Sequence, residues 1–99
     1  MTRQYLHGKG MVVKIFADDC KGSRHQKFTV KLSQNKSVLI VHNIDKSRRI
    51  DNLKIGDKVE FYGVYQWNRS GGLVHWTHKN NTLAKHKPGW IKHNNTLYQ

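Results

Sequence analysis

Two imidazoles and a cation stand where a phosphodiester could be cut. His25 opens one extended segment, His42 closes the next, and Arg24 precedes the first. If residues 26–32 and 37–42 pair as an antiparallel hairpin, the ends that carry His25 and His42 lie side by side. One imidazole would remove a proton, the other would donate one, and Arg24 would stabilise the charged phosphorane. Asp45 belongs to the same cluster by position. The competing expectation is a pair of polar strand-end histidines bonded to backbone groups, since two residues without a pocket are a thin basis for catalysis.

Cations interleaved with aromatics form a second constellation. Single-stranded nucleic acid is held by a cationic groove that follows its phosphates and by ring faces on which its bases stack. Lys27, Lys31, Arg48, Arg49 and Arg69 are the expected phosphate partners, and Tyr62 and Trp67 the expected stacking platforms. Trp90 is a further surface candidate. Phe61, Trp76 and Tyr65 are expected in the core, as most large aromatics are.

The seven histidines also raise metal binding, since neutral imidazole is a good ligand for zinc, copper or nickel. His75 and His78 are three apart in an expected strand and point to opposite faces unless the strand ends at Trp76. His78, His86 and His93 are the remaining candidate ligands. No His-Glu-x-x-His helix motif or phosphate-binding glycine loop occurs. Cys20 stands alone, which excludes an intrachain disulfide and a zinc site of several cysteines. Asp18 and Asp19 beside it are expected to raise its pKa. With six acids in all, only Asp18, Asp19 and Asp45 could contribute to a carboxylate metal site. No cofactor is specified.

The elements that must position these groups are short and extended. Residues 1–9 read as a polar lead-in, and residues 10–99 as one domain. Residues 11–16 are β-branched and apolar, a strand. Gln26, Phe28, Val30 and Leu32 alternate with Lys27, Thr29 and Lys31, so the second strand is half-buried with a basic outer face. After a turn at 33–36, residues 37–42 form the third strand. The polar connector 43–52 has at most a weak helical turn. Residues 59–67 make a fourth strand, with Gly63 marking a bulge or sharp coil, and residues 73–78 return as the fifth. Pro88-Gly89 turns into a last hairpin formed by 90–92 and 96–98. The expected class is all-β: a five-stranded OB-like barrel with a C-terminal β-hairpin, its main competitor being an SH3-like barrel.

The totals bound the function. Eighteen Lys and Arg against six Asp and Glu give a formal charge of +12. No fold requires that imbalance, so nucleic acid or another polyanion is the expected partner, with a merely solubilising surface as the alternative. No run of apolar residues is long enough to span a bilayer, and residues 1–6 lack the apolar core of a secretion signal. Compartment and oligomeric state stay open.

Several pieces together resemble a family of small, uncharacterised bacterial proteins. They are Gly22-Ser23-Arg24-His25-Gln26, His42-Asn43-Ile44-Asp45, Tyr65-x-Trp67-Asn68, Gly71-Gly72-x-Val74-His75-Trp76-Thr77-His78 and Gly89-Trp90-Ile91-Lys92-His93. The stretch Leu53-x-Ile55-Gly56-Asp57-x-Val59-x-Phe61-Tyr62-Gly63 also resembles the entry to strand four of many OB folds. The resemblance implies an OB-like barrel, a recurrent set of His and Trp positions, and relatives that often look exported. It brings no established activity. Where relatives tend to have a His/Asp-Pro-Gly turn, Lys79-Asn80-Asn81-Thr82-Leu83-Ala84-Lys85 has neither acid nor proline. The leading expectation is a non-catalytic module that binds single-stranded nucleic acid or another polyanion. A His25/His42 phosphodiesterase and an exported structural or metal-binding module are the alternatives.

Overall fold

The strand alternation seen in the sequence becomes a closed wall. The computed structural model describes residues 4–79 and 88–99. They form β1 (Gln4–Ile15), β2 (His25–Ser33), β3 (Lys36–Asn43), β4 (Lys58–Gln66), β5 (Leu73–His75), β6 (Trp90–His93) and β7 (Thr96–Tyr98). The sheet runs β1-β2-β3-β5-β4, and β4 returns to β1 to close a five-stranded barrel. Only β3 and β5 are parallel. The β6–β7 hairpin lies outside the ring. Because β5 pairs with β4 only at Val64–Gln66, β6 takes up the free edge of β4 from Val59 to Tyr62. Among the described residues no helix is long and apolar enough to cross a membrane.

The expected five strands and final hairpin are present, with three differences. First, β1 reaches back to Gln4, into the segment expected to be a lead-in. Its first half pairs with β4 (Gln4↔Tyr65 to Met11↔Lys58) and its second half with β2. Gly8 and Gly10 make the crossing close: a Cβ would sit 2.3 Å from Phe61 at the first and 2.2 Å from the Lys31 carbonyl oxygen at the second. Second, Gly63 is not a bulge. The β1–β4 register runs through it unbroken, and its role is close approach, since a Cβ there would lie 2.6 Å from the His75 carbonyl oxygen. The bulges fall between Val12 and Lys14 and between Lys31 and Ser33. Third, β5 ends at His75, where Trp76 takes a left-handed φ of 55° and steers the chain out of the ladder.

The core holds Val12, Phe28, Val30, Val38, Ile40, Val59, Phe61 and Val74 from the barrel strands, Ile91 from β6 and Ile50 from the connector. Each such side chain fully buried is worth about 1.5–3 kcal/mol. The connector forms turns and no helix, yet it closes one end of the barrel. Ile50 is fully buried there, and the Gln26 amide holds its backbone at both groups: Nε2 donates to Ile50 O and Oε1 accepts from Ile50 N, each at 2.9 Å. Gln26 thus acts as a short strand for a segment that has none.

Candidate nucleic-acid interface

The outer rows of the barrel wall follow from the register. Lys14 on β1 lies opposite Thr29 on β2, Thr29 opposite Leu39 on β3, Leu39 beside Leu73 on β5, and Leu73 opposite Gln66 on β4. Trp67 follows Gln66 directly. Lys27 and Lys31 flank Thr29 on the same face of β2, separated by about 13 Å at the rise of a strand. Leu39 N donates to Gly72 O at 3.1 Å, which seats the β4–β5 loop carrying Trp67 and Arg69 against the start of β3. Of the side chains expected to meet nucleic acid, Lys27, Lys31, Trp67 and Arg69 therefore border one continuous face.

Their surroundings differ. Trp67 is 72% exposed, the most open of the large apolar side chains, and Lys31 and Arg69 are exposed with no ion-pair partner among the described residues. Lys27 is half-buried and its Nζ is 3.0 Å from Asp19 Oδ2, so its charge is already matched. The Lys21 backbone N–H that bonds Asp19, and then that ammonium, hold the Asp19 carboxyl below its usual range. At the far end of the face, Phe16 is 38% exposed with the Lys14 ammonium 4.8 Å from its ring centroid. Phe16, Ala17, Asp19, Lys27 and Leu39 line an open cavity of about 420 Å³. Lys14 and Phe16 escaped sequence reading. The bulge after Val12 changes the strand's parity, and only that change turns Lys14 outward beside Thr29.

Three expected residues lie elsewhere. Tyr62 is on the outer face of β4 between β1 and β6, away from β2 and β3. Arg48 and Arg49 are on the connector at the closed end. The Arg48 guanidinium sits 4.7 Å from the Tyr98 ring centroid. Arg49 is committed: its Nε and Nη2 donate to Asp18 and its Nη1 to Asp51, at 2.8, 3.3 and 3.1 Å.

The histidine pair does not converge. The hairpin forms as expected, but His25 lies opposite Asn43 and His42 opposite Gln26. That one-residue offset sends the two imidazoles to opposite faces of the ladder. His25 Nδ1 is 2.9 Å from the Ser23 carbonyl oxygen on the outside. His42 is fully buried. Its Nε2 donates to Arg48 O at 3.0 Å, because a carbonyl only accepts, so its Nδ1 accepts from Thr77 Oγ1 at 2.8 Å. Burial lowers its pKa to about 4, so it is held neutral with both nitrogens occupied. Arg24 is bound to Asp45 through both its backbone N and its Nε, at 2.8 and 2.7 Å.

Of the three candidate metal ligands, two lie among the described residues. His78 is buried with its Nδ1 at Lys79 O, and His93 is buried with its Nε2 2.7 Å from Asp57 Oδ2. His86 lies outside the described residues. Among the described residues no three His, Cys, Asp or Glu side chains converge as a metal site.

One family model, described as "Protein of unknown function (DUF3465)", matches residues 3–99. No curated protein matches the chain.

Proposed function

The chain belongs to this family of proteins of unknown function, and we propose that it is an OB-type barrel that binds single-stranded nucleic acid on the face of β2 and β3. The observation that carries this reading is Trp67. It stands 72% exposed on the β4–β5 loop, which also carries Arg69 and approaches Ser37, the residue opposite Lys31; neither cation has an ion-pair partner among the described residues. A large ring left in water gains nothing for the fold, whereas a base stacked on such a ring contributes about 1–3 kcal/mol. The ring order β1-β2-β3-β5-β4 with a parallel β3–β5 pair supports the OB assignment. Barrels of that type carry oligonucleotides on strands two and three, between the β1–β2 and β4–β5 loops. Here those loops present Phe16 and Trp67. A strand lying between them would meet Lys14, Lys31 and Arg69 along its phosphates.

The test is fluorescence anisotropy of a labelled single-stranded RNA of about 16 nucleotides, the upper end of an OB site, over a salt series. Three phosphates neutralised on a single strand give a slope of about −2 in log K against log salt, so tenfold more salt weakens binding roughly 100-fold. Intact RNA after binding and that slope support the reading. No binding at low salt overturns it, and shortened RNA would return the question to catalysis.

A further inference from the structure

The opposite wall of the barrel, made by β1, β4 and β6, carries a different arrangement. Its outer rows are set by register. His7, Tyr62 and Trp90 form one row across the three strands, and Lys9, Glu60 and Lys92 form the next. Tyr5 joins the first group diagonally. The rings of Tyr5 and Tyr62 are 5.7 Å apart and 12° from parallel, those of Tyr62 and Trp90 6.4 Å and 21°. His7 meets Trp90 edge-on at 5.5 Å. Successive outward rows are two residues apart, about 7 Å.

Below the aromatic row is an open depression of about 540 Å³, lined by Lys9, Gly56, Asp57, Lys58, Glu60 and Lys92 among others. Lys9, Lys58 and Lys92 and the carboxylates Asp57 and Glu60 line it, and each carboxylate has an imidazole partner. Glu60 Oε2 is 2.6 Å from His7 Nε2, and Asp57 Oδ2 is 2.7 Å from His93 Nε2 and accepts from Lys54 N at 2.9 Å. Lys9, Lys58 and Lys92 have no ion-pair partner among the described residues. Glu60 lies between Lys9 and Lys92 and is stabilised as a carboxylate first by the His7 hydrogen bond and then by those ammonium charges, so three ammonium groups stand against two carboxylates around one hollow, a small positive excess that favours an anion entering it.

We propose that this wall is a second site, which binds a nucleotide with its base against the Tyr62–Trp90 row and its phosphate among Lys9, Lys58 and Lys92. A single sugar bridges the separation of the two rows. The nucleotide is either free or the phosphorylated end of a strand. The site shares no residue with the face of β2 and β3, so the two stand or fall separately.

Isothermal titration with adenosine 5′-monophosphate, adenosine and inorganic phosphate tests it. The monophosphate should bind at least tenfold more tightly than either half. The exposed double substitution Lys9→Ser with Lys92→Ser should weaken the monophosphate at least tenfold and leave binding of the 16-nucleotide RNA within twofold. No binding of the monophosphate at millimolar concentration overturns the site, as does equal binding of adenosine or an unchanged affinity in the double variant. The source is read from RNA hexamers with and without a 5′-phosphate. A preference for the phosphorylated hexamer that the double variant loses assigns the site to strand ends. Monophosphate binding without that preference assigns it to free nucleotide.

Discussion

His42 Nδ1 and Thr77 Oγ1 lie 2.8 Å apart inside the barrel, joining the end of β3 to the chain that leaves β5. The left-handed Trp76 makes this possible by turning Thr77 inward, where it is fully buried. Two separate stretches, His-Asn-Ile-Asp beginning at His42 and His-Trp-Thr-His ending at His78, therefore meet in one hydrogen bond. Its logic is structural: a neutral imidazole links a hydroxyl to the Arg48 carbonyl and ties the connector to the barrel.

The first prediction follows from the charge state of that imidazole. The folded pKa of His42 is about 4 against an ordinary 6.5. A depressed base contributes stability while it is neutral in both states, above pH 6.5. Between pH 6.5 and 4 the unfolded chain takes up a proton that the folded chain refuses, so stability falls with pH. The loss should reach about 2 kcal/mol by pH 5. Urea unfolding at pH 7 and pH 5 measures it, and His42→Asn, less stable at pH 7, should show a smaller loss across that window. A wild-type stability that is flat from pH 7 to 5 would contradict the buried neutral assignment.

Gln26 should be a costly residue for its size. Gln26→Leu keeps the volume and apolar character of a core position but strips partners from Ile50 N and Ile50 O, both inside the closed end. Each unsatisfied buried group costs about 1–3 kcal/mol, so a loss of about 2–6 kcal/mol is expected in denaturant unfolding. A change below about 0.5 kcal/mol would mean that the connector is not held by this amide.

These two residues also show what the sequence could and could not disclose. Gln26 is on the inward side of an alternation that Phe28 and Val30 make plain, so its burial was legible, although its partner was not. His42 looked like a chemical group because its type is chemical, and the hairpin that carries it was correctly expected. The offset of one residue that parts it from His25 depends on how the 33–36 turn is made, with its bulge between Lys31 and Ser33, and no residue type announces that. The start of β1 was hidden for another reason. Its inward positions are Leu6, Gly8 and Gly10, and two of the three have no side chain because Phe61 and the Lys31 backbone occupy the space. The hydrophobic alternation that marks a strand was thus supplied by other strands.

Trp67 and Tyr62 should separate in binding, because they stand on different walls. Trp67→Ala is expected to weaken the 16-nucleotide RNA by about 1–3 kcal/mol, the worth of one stacked base. Tyr62→Ala should leave that affinity unchanged and reduce binding of adenosine 5′-monophosphate. Anisotropy and calorimetry on the two variants check this together. Equal losses of RNA affinity in both would place the strand across both walls and break the assignment of separate faces.

The cations should separate in the same way, and the salt dependence of RNA binding reads them one at a time. Each phosphate contact removed makes the slope of log K against log salt shallower by about 0.7 on a single strand. Lys31 is exposed on β2 with no ion-pair partner among the described residues, so Lys31→Ala should make the slope shallower by that amount. Arg49 is exposed enough to be mistaken for a phosphate partner, yet its guanidinium is already held by Asp18 and Asp51. Those two hydrogen-bonded carboxylates raise its pKa and compete with any phosphate for the same donors. Arg49→Ala should therefore leave the slope as it is and act on the fold instead, by freeing the β1–β2 loop from the connector. Were Arg49→Ala to change the slope as much as Lys31→Ala, the bound strand would have to displace Asp18, and the interface would extend to the closed end of the barrel.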